Sequence, residues 1–325
     1  MVAPPLRLGF QVWAQHVSWP DLIAAGAEVE ELGFDSLWSN DHLLPLVAGP
    51  DGVVEGPEGP VFEGWSILAG WAAATKRIRL GCLVSSVAWR HPALLVKTAT
   101  ALDHMSGGRI TLGIGAGWYE REHRAFGFPY LPVRQRLDRL EEAATIVRGL
   151  LDGERVMFAG RWYAVEGARN DPSPVQARLP LLIGGSGERR TLRIVARYAD
   201  VWSADGGDPE LLARKGAVLD AHCRVEGRDP ASIRRTAGQP PALIRPTRDE
   251  AVATLAEILS GHGTPWTVAL STAFASPFVG TADEVAAALR EVRTAGIEEV
   301  MFDLPLPLAR PTLEALAGPV RKRLG

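Results

Sequence analysis

A chain of 325 residues that is 46% hydrophobic and 22% charged has a globular composition, which excludes disordered, collagenous and membrane-spanning classes. A formal net charge of −3 gives no basic footprint for nucleic acid, and two cysteines, Cys82 and Cys223, are too few for a disulfide framework or a cysteine-rich zinc site. No apolar run is long enough for a bilayer and Met1–Gly9 lacks the apolar core of a signal peptide, so the expected setting is cytoplasmic, with no membrane or nucleic-acid partner.

Short β-type runs alternate with helical ones. Leu6–Trp13 reads as a strand. Ser18 and Pro20 then start a helix that ends near Leu32, with Gly33 as its cap. Phe34–Ser39 is a second strand, and a Gly/Pro-rich insertion from Pro45 to Gly64 precedes helix Trp65–Thr75. Strand Arg77–Ser86, helix His91–Met105, strand Arg109–Gly115 and helix Arg134–Leu151 follow. Gly153–Glu166 reads as a hairpin opening an insertion over 153–178. Next come strand Leu179–Ile183, helix Glu188–Arg197, strand Asp200–Ser203, helix Asp208–Glu226, a strand within Ile233–Ile244 and helix Arg248–Ser260. An irregular stretch, Gly261–Gly280, leads to helix Ala282–Ala295, strand Glu299–Leu304 and a last helix, Pro311–Arg323. Eight β/α steps without a composition break predict one domain over 1–325, a (β/α)8 barrel of α/β class; a doubly wound open sheet is the structural alternative.

Function in a barrel sits where strands end and helices begin. That directs attention to Gln11–Gln15, Asn40–Leu44, Val84–Arg90, Gly115–Glu122, Gly184–Arg190 and Ser203–Gly207. His42 beside Asp41 is a candidate acid/base near neutral pH, or a loop histidine bonded to backbone. Gly113–Trp118 has the glycines of a ligand-approach turn but fails the full dinucleotide fingerprint at Trp118. Gly184, Gly185, Ser186 and Gly187 follow an apolar strand and precede Arg189 and Arg190, a pattern that suits an anion at a helix start. Trp13, Trp65, Trp89 and Trp118 are candidate walls for a flat ligand, whereas Trp38 and Trp202 lie within strands and read as core. Glu120 and Glu122 read as solvated helix surface. The seven histidines are scattered without metal-site spacing, so no metal is expected.

In combination, SNDHL (39–43), RHPA (90–93), LDHMSGGR (102–109), LGIGAGW (112–118), GERVMFAGRWY (153–163) and LPLLIGGSGERR (179–190) resemble the luciferase-like monooxygenase superfamily. Among its branches they look most like the oxidoreductases that use coenzyme F420. The resemblance implies a barrel holding a deazaflavin or flavin at its C-terminal face. Leu83 and Val84 would flank a non-proline cis peptide behind the ring. Gly115, Ala116, Gly117 and Arg121 would add contacts, the phosphate-bearing tail would lie over Gly184–Gly187 and Arg190, and Asp41 and His42 would meet ring and substrate. It also implies a homodimer. Two departures stand out: the sugar-phosphate dehydrogenases of this kind carry an acid where Trp118 stands, and another where Gln15 stands.

These readings predict hydride transfer between coenzyme F420 and a small, hydrophobic organic substrate, in the direction of reducing an activated C=C, C=N or C=O. His42 is the predicted proton donor, and Trp13, Gln15, Trp65, Trp89 and Trp118 form the predicted substrate pocket. The alternatives are an FMN-dependent monooxygenase of the same superfamily and a non-catalytic flavin- or deazaflavin-binding protein.

Overall fold

A strand followed by a crossover helix returns parallel to its neighbour, so repeated β/α steps build a parallel sheet. In the computed structural model, which describes residues 5–49, 52–55 and 58–324, that sheet closes on itself. The barrel strands are β1 (Arg7–Val12), β2 (Ser36–Ser39), β3 (Arg79–Cys82), β4 (Ile110–Gly115), β5 (Leu181–Gly184), β6 (Val201–Asp205), β7 (Arg234–Pro241) and β8 (Glu299–Leu304). Closure comes from β8 beside β1, in register from Arg7 opposite Glu299 to Val12 opposite Leu304, and from β4 beside β5. The open-sheet alternative is thereby excluded.

Helices α1 (Trp19–Glu31), α2 (Gly64–Ala74) and α3 (Pro92–Ser106) lie close to their predicted bounds, and the caps explain why. Ser18 Oγ accepts the Asp21 N–H, and Pro20 occupies the first turn, where no N–H is needed. Next come α4 (Glu120–Ala125), α5 (Val133–Leu151), α6 (Thr191–Tyr198), α7 (Pro209–Val225), α8 (Arg248–Gly261), α9 (Trp266–Ala275) and α10 (Ala282–Thr294). A last helical segment, 310–324, carries a π turn around Pro319.

Several expectations need correction. The stretch Gly261–Gly280 is not irregular, since α9 occupies its middle, and the helix implied at Glu120 and Glu122 is the short α4. Helix α6 starts at Thr191, three residues after the predicted Glu188: Arg190 provides no side-chain cap, and the Glu188 carbonyl is held by His222 Nε2 at 2.7 Å instead of by a helical N–H. The predicted strand over Arg77–Ser86 divides into β3 and a short Ser85–Ser86 segment, with a cis peptide between Leu83 and Val84. The Pro45–Gly64 insertion contains an antiparallel pair, Leu46–Gly49 with Gly52–Glu55. Pro50, Asp51, Gly56 and Pro57 of that insertion, and Met1–Pro4 of the N-terminal segment, lie outside the described residues. The hairpin pairs Val156–Ala159 with Ala164–Ala168.

Packing sets which end of the barrel is open. Trp38, Leu83, Leu182, Val201 and Met301 fill the interior, while the larger apolar cluster lies between strands and helices. At the N-terminal end Trp38 Nε1 donates to Ser36 Oγ at 2.7 Å, and Ser36 in turn donates to Glu299. That end is plugged. Met301 points inward, so Asp303, two residues on, points inward one layer closer to the opposite mouth. No helix among the described residues is long and apolar enough to cross a membrane.

Candidate active site

The C-terminal strand ends surround a cavity of about 340 Å³. Asp41, His42, Leu83, Val84, Trp89, Gly115, Ala116, Gly117, Trp118, Gly184 and Gly185 line it, so most of the residues singled out in the sequence converge there.

His42 is fixed by a residue that the sequence reading assigned to the surface. Glu122, on α4, is buried, and its carboxylate lies 3.1 Å from His42 Nδ1 while accepting the Leu43 and Leu44 N–H groups at 2.6 and 3.1 Å. A carboxylate only accepts, so the proton of that contact belongs to Nδ1, which leaves Nε2 for the cavity. Glu120 does have the expected surface role, pairing with Arg124. Behind His42, Arg90 binds Asp41 through both guanidinium nitrogens, at 2.5 and 3.1 Å, and also pairs with Glu63. Ser85 Oγ donates to Asp41 and accepts the Trp65 indole N–H at 2.7 Å. Burial pushes the Asp41 carboxyl up, against the opposing pull of Arg90 and Ser85.

The opposite wall is nearly bare of side chains. A methyl group at Gly115 would lie 2.6 Å from Val84 Cγ2, so glycine lets the Val84 side chain seat against β4. Gly117 has φ +73, a conformation that L side chains rarely adopt, and its carbonyl accepts from Arg136, which lines the cavity. At the far end, Asp205 accepts from Ser186 Oγ at 3.1 Å, and burial raises its carboxyl against that bond.

Other predicted site residues stand elsewhere. Trp65 is buried behind Asp41. Gln15 clamps Leu46, donating to its carbonyl at 2.9 Å and accepting its N–H at 3.0 Å, which ties the insertion to β1. Trp13 is buried in a satellite cluster with Leu243 and Leu255. Arg190 pairs with Asp138 at 2.6 Å, and neither Ser186 nor Gly187 reaches the cavity wall. Arg121 faces the outer surface beside Arg124. Trp38 and Trp202 are core, as anticipated.

A second acid was missed. Asp303, at the mouth end of β8, accepts from Gln11 Nε2 at 3.4 Å; Gln11 Oε1 accepts from Gln239 Nε2 at 3.1 Å; and Gln239 lines the cavity. Burial pushes the Asp303 carboxyl up to about 7, opposed by bonds from Trp13 and Gln11 and by the charge of His42. Its sequence signal is an acid on the same alternate face of β8 as Glu299 and Met301.

Comparison with known proteins bears on the family and the fold. An F420-dependent glucose-6-phosphate dehydrogenase of Microbacterium testaceum is 33% identical over 213 residues, 65% of this chain and 60% of that protein's length. A solved F420-dependent secondary alcohol dehydrogenase in complex with an F420-acetone adduct superposes with a TM-score of 0.82 at 20% identity, covering 99% of this chain and 100% of that one. The FMN-bound oxygenating constituent of 3,6-diketocamphane monooxygenase from Pseudomonas putida gives 0.76 at 16% identity, covering 98% and 99%. At those identities the two solved structures establish the fold alone. Residues 7–299 match the luciferase-like monooxygenase family, and the chain belongs to it.

Proposed function

We propose that the cavity binds coenzyme F420 and that the protein is an oxidoreductase exchanging a hydride between this deazaflavin and a small organic substrate. The observation that carries the reading is the pairing of a glycine-walled cavity with a histidine whose tautomer is set by a buried carboxylate. Relatives named as F420-dependent dehydrogenases support it.

The residues present fit such a group. A flat conjugated ring needs a wall on which backbone can approach it closely, and Gly115, Ala116 and Gly117 supply one. Leu83 and Val84 would back the ring. Gly184, Gly185 and Thr191 would carry the tail, with Arg136 as the nearby cation; Arg190 and Ser186 are already engaged by Asp138 and Asp205. When bound, the deazaflavin supplies hydride exchange. His42 Nε2 gives the proton to the substrate oxygen or nitrogen during reduction and takes it during oxidation. Glu122 holds the ring orientation and stabilises the imidazolium that oxidation leaves. Trp89 and Trp118 exclude water from one side.

Supplying reduced coenzyme F420 with a panel of ketones, enones and imines tests the reading. Oxidation of the deazaflavin in step with substrate, without oxygen uptake, is the expected result. Oxygen uptake in the presence of reduced FMN and none of that exchange would replace it with an FMN monooxygenase. A cytoplasmic homodimer belongs to the same proposal, and light scattering in solution checks the dimer.

A further inference from the structure

The half of the mouth formed by β7, β8 and β1 carries a charge pattern that the deazaflavin reading does not use. Among the described residues, the segments over 13–17, 58–63, 239–244, 262–280 and 305–309, which follow or overlie these strand ends and β2, contain no lysine or arginine. The second of them contains two acids, Glu58 and Glu63, of which Glu63 pairs with Arg90. Cations flanking these segments are engaged away from the cavity. Arg245 donates to the Ile244 carbonyl, Arg248 to the Val279 and Phe274 carbonyls, and Arg310 pairs with Glu28 and Glu314. Lys97 and Lys215 are bound to the Asp171 carbonyl and to Glu188.

Into this half, free of lysine and arginine among the described residues, points Asp303. Its polar partners are Gln11 and the Trp13 indole, and neither neutralises a negative charge. Gln239 completes the line to the cavity, with its backbone held at φ +67, outside the range that a glutamine prefers. The charged group that acts on Asp303 is His42, from the loop after β2; His262, at the end of α8, packs on Trp13 at 5.7 Å between ring centroids and lies within reach of the charge of His16.

We propose that Asp303 is a specificity-determining acid that makes this mouth reject phosphate-bearing substrates and accept uncharged ones, a hydroxyl or carbonyl on an apolar body. This rests on the F420 reading for the site's identity, and it separates the chain in substrate class from the sugar-phosphate dehydrogenase it resembles in sequence. An anion entering here meets a like charge in a site of reduced dielectric and finds no lysine or arginine among the described residues to pair with. The sign with pH follows. Below about 7 Asp303 is protonated and the repulsion relaxes; above it the carboxylate stands and anions are excluded.

The probe is glucose 6-phosphate, titrated calorimetrically into F420-loaded protein on both sides of neutrality, for wild type, Asp303→Asn and Asp303→Lys. Loading is measured first, so failure to bind F420 overturns the functional reading and is seen separately from failure of this one. Wild type is expected to bind glucose 6-phosphate at least about tenfold more weakly than either variant above neutral pH, with the gap to Asp303→Asn closing in acid. The same pH dependence in Asp303→Asn as in wild type would overturn the assignment to Asp303. Asn is nearly isosteric, and unchanged F420 affinity together with an unchanged melting temperature shows that the fold is kept. Tight, saturable binding or turnover of glucose 6-phosphate by wild type would overturn the proposal. So would equal affinities in wild type and both variants.

Discussion

The two halves of the barrel mouth treat polar groups differently. On the β2–β4 side every charge has a close partner: His42 with Glu122, Asp41 with Arg90 and Ser85, and Arg90 with Glu63. On the β7–β8–β1 side the Asp303 carboxylate is met by amides and an indole. A satisfied network fixes geometry, because each member restrains the next. An uncompensated charge fixes nothing but discriminates among what approaches it. In the proposed function the first half positions the reacting groups and the second selects the substrate.

The largest expected effect falls on the first half. His42→Ala should lower F420-coupled turnover by about 10²–10⁴-fold while leaving F420 affinity unchanged in a binding titration. Equal turnover would remove His42 from the chemistry and with it the division of labour. Next is Arg90→Met, which leaves Asp41 as a buried charge without its counter-ion and should cost about 3–5 kcal/mol in a denaturant unfolding experiment. A loss below about 1 kcal/mol would mean that the network is ornamental, as exposed pairs often are. Glu122→Gln keeps the shape but loses the charge that favours Nδ1–H on His42; kcat should fall about 10–100-fold with little change in KM. A change confined to KM would make Glu122 a binding residue. Smallest is Gly115→Ala, where the added methyl must displace Val84; a stability loss of about 1–3 kcal/mol is expected, together with weaker F420 binding. Retained F420 affinity would show that Val84 does not shape the ring site.

Much of this was legible in the sequence, and the parts that were not share a cause. Asp41–His42, the Gly115–Gly117 turn and Gly184–Gly185 were found because strand ends in a barrel converge by topology, whatever their side chains do. Glu122 was not. It sits on a six-residue helix too short to show periodicity, and only the tertiary fold turns it inward. Asp303 needed knowledge of which face of β8 is interior, because in a barrel both the face with Glu299, Met301 and Asp303 and the face with Val300, Phe302 and Leu304 are covered. Helix α9 was hidden because Trp266, Leu270 and Phe274 are exposed, so its apolar residues do not mark a buried face. Trp13, Gln15 and Trp65 lie near the strand ends as expected, but they pack behind the cavity, a distinction of about one side-chain length that linear position cannot carry.

Equilibrium titration of the purified protein with coenzyme F420 and, in parallel, with FMN tests the central claim most directly. The account predicts saturable binding of one F420 per chain and markedly weaker binding of FMN. Tight FMN binding with no detectable F420 binding would contradict it.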